Sequence, residues 1–335
     1  MSKKLFPTQE IGSLKKPSWL LNTVKNPKTS NKAKVRARND AALLNIRTLE
    51  SLGLDIVYDG EVRRVEMYEE PVRYINGFEF AGRVRSWDNK YYKKARVTRP
   101  ISYKRNFHEE EFKFIKKNAK KDIKVPVTGP YTLADWSYNE HYKSKEDFVM
   151  SLAKKVIRPL LKDLVRLGAK IIQIDEPAAT SHPSEMGIFR DSINESVKGV
   201  DAKIVVHACF SGNNYEVLAP EMSDIRVRQY TLEFANRDSW KLGINDKERN
   251  GYRVLKLFRD YGYKGEIGIG VTDVHVDEIE PPKLLRDRIL YAAKAFGDPS
   301  KIYVNPDCGL RTRSRTVAFK KIKSLVQGAE LARKN

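Results

Sequence analysis

Short β-branched runs alternate along the chain with longer stretches whose apolar residues recur at helical spacing. The strand-like runs are LDIVYDGE, VPVTGP, AKIIQIDEPA, AKIVVHACF, RVRQYTLEF, GEIGIGVTDVH and KIYVNPDCG. The opening TQEIGSL reads as one more strand. KVRARNDAALLNIRTLESLG has helical character, and KEDFVMSLAKKVIRPLLKDLVRLG ends at Gly168, a good helix stop. NNYEVLAPEM, NGYRVLKLFRDYG, PKLLRDRILYAAKAFG and TVAFKKIKSLVQGAELARK follow the last four strands as further helices. Eight strand–helix units predict an α/β fold, a closed parallel (β/α)8 TIM barrel. A doubly wound open sheet is the rival. However, no G-x-G-x-x-G follows the first strand and no phosphate-cradling G-x-x-x-x-G-K-[ST] occurs. The rhythm breaks from about 62 to 124, a stretch rich in Tyr, Lys and Arg. It reads as an insertion between strands 2 and 3, a hairpin plus a helix. With no linker and no repeat, residues 1–335 are expected to form one domain.

Composition narrows the class. Of the 335 residues, 41% are hydrophobic and 32% charged, which excludes a disordered chain. No apolar run approaches the ~18 residues that span a bilayer. The opening MSKKLFPTQEIGSLKKP lacks the apolar segment of a secretory signal. Two cysteines cannot make a disulfide framework, so a cytoplasmic setting is expected. The net charge of +20 fits a charge-rich solvated surface, as in many thermophile proteins, or attraction to an anionic partner. The basic residues are spread along the chain rather than clustered, which favours the solvated surface, although YYKKARVTRP and RNFHEEEFKFIKKNAKKDIK are locally dense.

In a parallel barrel the strand C-termini face the active site. Here nearly every strand ends in polar residues: Ile11-Gly12-Ser13, Asp59-Gly60-Glu61, Thr128-Gly129-Pro130, Asp175-Glu176, His207-Ala208-Cys209, Glu233, Asp273-Val274-His275 and Asp307-Cys308-Gly309. His207 and Cys209, two apart on a strand, share a face. With Cys308 and Glu233 they would make a four-ligand set suited to zinc. Two buried cysteines and a core histidine remain the plain alternative, and a Cys209–Cys308 disulfide is disfavoured in the cytosol. Asp273 and His275 suit an acid/base histidine oriented by a carboxylate, or a satisfied polar pair. Asp175 and Glu176 point to opposite faces, so only one of them can face the site. Trp136 is a stacking platform or a packed aromatic. His108, His141 and His182 have no partner pattern and are expected at the surface.

Taken together and in order, IGSL, YDGE, TGPYTLADWS, IIQIDEPA, VVHACF, TLEF, GIGVTDVH and VNPDCGLRTR resemble the C-terminal catalytic barrel of the cobalamin-independent methionine synthases. The resemblance runs from about residue 8 to 330 and is to the short, core-only form of some archaea and bacteria, without the family's N-terminal barrel. It implies methyl transfer to homocysteine to give L-methionine, with one Zn2+ on His207, Cys209, Glu233 and Cys308. It also implies the homocysteine carboxylate at Ile11, Gly12 and Ser13 and its ammonium at Glu61 and Asp175. His275 would be the proton donor, with Asp273 beside it, and Trp136 would lie near the methyl donor. Two departures bear on that donor. Ala95-Arg96 stands where folate-using members carry Arg-Cys, and Ser181 stands where they carry a pterin-binding Glu. These favour methylcobalamin or a methylated corrinoid protein. Retention of His275 favours methyltetrahydrofolate, whose leaving nitrogen needs a proton. A catalytic subunit needing a separate N-terminal-barrel partner is a further reading. A basic nucleic-acid-binding protein on a degenerate barrel is a distant one.

Overall fold

The β-branched runs pair as strands of one sheet, and the order of that sheet closes on itself. The computed structural model describes residues 4–85, 91–209 and 215–334. Its elements run α1 (Ser18–Lys25), α2 (Asn31–Ser51), β1 (Ile56–Val57), α3 (Glu69–Val72), β2 (Ile75–Arg85), β3 (Tyr91–Tyr103), α4 (Glu109–Asn118), β4 (Asp122–Thr128), α5 (Pro130–Asp135) and β5 (Tyr138–Asn139). They continue through α6 (Lys145–Leu152), α7 (Arg158–Arg166), β6 (Ile171–Asp175), α8 (Met186–Ser196), β7 (Lys203–Ala208) and β8 (Gln229–Leu232), then α9 (Val254–Asp260), β9 (Glu266–Thr272), α10 (Pro282–Phe296), β10 (Ile302–Pro306) and α11 (Arg315–Ala332). The sheet order is β1-β4-β6-β7-β8-β9-β10. Pairing is parallel between β1 and β4, β6 and β7, and β9 and β10. Thr8 bridges Val304 of β10 and Gln9 bridges Ile56 of β1, both in parallel. Residues 8–9 therefore fill the eighth position, giving the α/β barrel that the alternation predicts. This opening strand is short because Pro7, just upstream, has no N–H to donate.

Backbone contacts group the chain into two compact units. The first comprises Met1–Arg63, Lys113–Lys124 and Tyr230–Asn335. Here Ser30 caps α2 by accepting the Ala33 N–H at 3.2 Å. The helix buries a stripe of Ala41, Ala42, Ile46 and Leu49. α11 packs on α10 at Gly328, where a Cβ would lie 2.6 Å from the Leu285 Cβ. The unit also buries a polar chain: Lys124 Nζ donates to Gln9 Oε1, and Gln9 Nε2 to Asn305 Oδ1, each at 3.1 Å. Satisfying one another is what lets these groups leave water.

The second unit comprises Arg64–Phe112 and Val125–Gln229. The helix read from residue 145 to 168 forms, but Ala153–Ile157 widens into a π turn between α6 and α7. Pro159 explains the widening: its ring would clash with the carbonyl four residues back, and it has no N–H for it. Leu160, Leu161 and Leu164 of α7 are buried, and each contributes about 2–3 kcal/mol relative to exposure. β2 and β3 form an antiparallel hairpin, Phe78 opposite Val97, and β3 also pairs with β5. Most of the expected helix NNYEVLAPEM is not one. Residues 210–214 lie outside the described residues, and Tyr215–Leu218 forms a single 3-10 turn. Pro220 removes an N–H that a continuing helix would need. α8 was not anticipated from the sequence. Among the described residues, no helix is long and apolar enough to cross a membrane.

Candidate active site

Parallel strands deliver their ends to one side, and the polar residues picked out above sit there. Asp175 is the last residue of β6, Cys209 follows β7 and Glu233 follows β8. Asp273 and His275 follow β9, and Asp307 and Cys308 follow β10. Asp273 and His275 thus lie on a turn beyond the strand that the sequence suggested for them.

In the first unit, Ile11 and Gly12 are buried and Ser13 is half-buried. Gly60 and Glu61 both take left-handed backbone, at φ of 68° and 55°. For Glu61 that conformation is uncommon and is held by its N–H on Asp59 Oδ1 at 2.8 Å. The turn aims the Glu61 carboxylate at Gly12, whose missing Cβ would lie 3.0 Å from Oε1. A side chain at Gly309 would meet the Ser13 backbone N at 2.9 Å. The segment after Cys308 therefore packs directly on Ser13.

Glu233, His275 and Asp307 form a second cluster in this unit. Glu233 is buried, with His275 Nε2 at 3.9 Å from Oε1 and Asn236 Nδ2 at 3.4 Å from Oε2. Asp307, wholly buried, accepts the backbone N–H groups of Phe234, Ala235 and Asn236 at 2.9, 3.0 and 2.8 Å. Burial raises its pKa to about 7. The Asp273 carboxylate accepts the His275 backbone N–H at 2.7 Å, and Glu280 accepts that of Asp273 at 2.6 Å. Lys321 Nζ in turn pairs with Glu280 at 2.9 Å, both fully buried. Asp307, Asn236 and Glu280 were not singled out as functional from the sequence. The only signal was the placing of Asp307 beside Cys308.

In the second unit, Asp175 is the register partner of His207 across β6 and β7. Both are buried, and Gln173 Nε2 donates to Asp175 Oδ1 at 2.7 Å. Glu176 turns away, as strand alternation requires. It accepts the Tyr131 and Thr132 N–H groups at 3.0 and 2.7 Å and pins the start of α5, under cover of Gly129. Burial raises its pKa to about 7. Trp136 caps α5, half-buried, with its ring 6.2 Å from that of Tyr68. The Tyr68 hydroxyl meets Ser137 Oγ at 2.7 Å and accepts the Ala95 N–H at 3.0 Å. Arg96 faces Glu79 and Glu140 at 3.5 and 3.7 Å, and Ser181 is exposed. One surface expectation fails. His108 is buried against Glu111 and Arg64, and burial drops its pKa to about 4. His141 and His182 are exposed, as expected.

The ligand atoms of His207, Cys209 and Cys308 all lie within 4.8 Å of one another. Neither cysteine is in a disulfide. A tetrahedron with ~2.3 Å metal–sulfur bonds has edges of about 3.8 Å, so the group needs to contract by only about an ångström to hold a metal. One imidazole and two thiols are the donors that zinc prefers. Glu233 stands outside this group.

The chain matches the family described as the catalytic domain of cobalamin-independent synthase over residues 6–331. It is 42% identical to the methionine synthase of Thermoplasma volcanium, over 95% of each chain. It is 40% identical to that of Pyrococcus furiosus, over 100% of this chain and 95% of that one. Among solved structures, a B12-independent methionine synthase from Shewanella sp. W3-18-1 in complex with selenomethionine superposes with a TM-score of 0.85 at 27% identity, over 98% of both chains. A protein from Listeria monocytogenes described as a vitamin-B12-independent methionine synthase, 17% identical with a TM-score of 0.74, shares the fold.

Proposed function

The chain belongs to the cobalamin-independent methionine synthase family, and on that premise we propose that it methylates the thiol of homocysteine with zinc as its metal. The observation that carries the metal is the His207–Cys209–Cys308 group, with Glu233 proposed as the fourth ligand. A zinc ion on these residues would lower the pKa of a substrate thiol, which would make the reactive thiolate available near neutral pH. Two thiolates and a carboxylate leave the site one negative charge in excess of the ion, which favours an electron-rich sulfur.

The other residues bind and orient. Backbone N–H groups of Ile11 to Ser13 and the Ser13 hydroxyl receive the homocysteine carboxylate. Glu61 and Asp175 receive its ammonium, and the closeness of Glu61 to Gly12 supports that reading. An amino-acid thiol is therefore the acceptor, since a thiol lacking an ammonium would leave both carboxylates uncompensated. Fixing both ends of the substrate aligns the sulfur for in-line attack on the methyl carbon. Trp136 packs near the donor.

For the donor we favour methylcobalamin or a methylated corrinoid protein. Ala95 is buried with its N–H engaged by Tyr68, and Arg96 faces two carboxylates, so this edge has little to offer a pterin side chain. Methyltetrahydrofolate is the second reading, favoured by His275, which can protonate a leaving nitrogen while a departing cobalt needs no proton. We also propose that this one barrel suffices for catalysis, and that the protein works in the cytoplasm, where its ligand cysteines stay reduced.

Zinc-loaded protein given homocysteine and either methylcobalamin or methyltetrahydrofolate tests the proposal. Methionine from methylcobalamin alone supports the corrinoid reading. Methionine from the folate overturns that preference. Activity only after adding a separate N-terminal-barrel protein overturns the claim that one barrel suffices.

A further inference from the structure

We infer that Asp307 and Asn236 are positioning residues that set the spacing of Glu233 and Cys308, an inference that rests on the metal reading above. Asp307 directly precedes Cys308, and its carboxylate holds the three N–H groups that directly follow Glu233. One buried side chain thus ties together the backbone segments on which two proposed ligands sit. Three backbone N–H groups converge on this one buried carboxyl group, so removing it would leave all three to find other partners. Its own N–H is held by the Thr272 carbonyl at 3.0 Å, so the clamp is anchored to the end of β9.

Asn236 carries the clamp to the Glu233 side chain. Its backbone N–H is fixed by Asp307 Oδ2 at 2.8 Å while its Nδ2 reaches Glu233 Oε2 at 3.4 Å. Glu233 stands outside the compact His207–Cys209–Cys308 group. Asn236 gives the Glu233 carboxylate a partner where it stands, apart from that group. Gly270 leaves room for the arrangement, since a side chain there would overlap Asp307 Oδ1. Groups that orient metal ligands typically change metal affinity 10–100-fold when removed.

The test uses the full chain as wild type, Asp307→Asn and Asn236→Ala, with Co2+ alone as the probe. Co2+ affinity is read by competition with a chromophoric chelator, the site geometry by the visible Co2+ spectrum, and the fold by metal-free thermal unfolding. Both variants are expected to bind Co2+ about 10–100-fold more weakly, with shifted visible bands. Asn236→Ala should do so with a metal-free Tm close to wild type. Wild-type affinity and an unchanged spectrum in Asn236→Ala overturn the inference even if Asp307→Asn fails to fold. A wild type that binds no Co2+ overturns the metal reading itself, and this inference with it.

Discussion

The Asp273 carboxylate accepts the backbone N–H of His275 at 2.7 Å, so the acid shapes the turn that carries the histidine. Glu280 and Lys321 brace the same turn from beneath. An amide carbonyl can take the same N–H. Asp273→Asn should therefore keep most of the activity, while Asp273→Ala should lose roughly 1 kcal/mol or more of stability along with activity. Steady-state rates of the two variants check this. An Asn variant as impaired as the Ala variant would show that the charge itself is needed.

His275 should separate the two donor classes. His275→Ala is expected to reduce methionine formation from methyltetrahydrofolate about 10²-fold or more, the usual weight of a general acid. Formation from methylcobalamin should stay within a few-fold of wild type. Parallel assays of the variant with both donors make the comparison.

Cys308→Ser and His207→Ala should lose metal and methyl transfer together. Zinc content by elemental analysis after dialysis against a chelator is expected to fall from about one ion per chain to trace. Full zinc and full activity in Cys308→Ser would refute the ligand assignment.

Asp175→Asn should keep its zinc and raise the KM for homocysteine, by about tenfold if the lost charge-assisted contact contributes 1.5 kcal/mol. Titrating homocysteine at fixed donor measures it. An unchanged KM would remove Asp175 from the ammonium site.

His108 predicts a pH dependence away from the chemistry. Its folded pKa of about 4 lies below the ordinary 6.5 because burial, with the Arg64 charge, disfavours the imidazolium. The unfolded chain therefore binds this proton first. Stability from this group is complete above pH 6.5 and is lost as pH falls towards 4, by roughly 2–3 kcal/mol. Urea unfolding at pH 7 and pH 4.5 should show a smaller difference between the two pH values in His108→Gln than in wild type.

Much of this protein could be read from local sequence. Eight β-branched runs, seven of them closing on Gly, Pro or acid, specify the strand–helix alternation because strand and helix periods are properties of a few consecutive residues. His207 and Cys209 could be paired for the same reason, since their i, i+2 spacing settles which face they share. The pairing of the opening strand and the burial of His108 depend on partners distant in the chain. Those partners are Val304 and Ile56 for the first and Arg64 for the second. The supports of the site were equally hidden. Asp307 grips residues 234–236 and Lys321 meets Glu280 across separations of more than forty residues. No local pattern encodes such pairings, because what selects them is the cost of leaving a buried charge or N–H without a partner once the strands have closed.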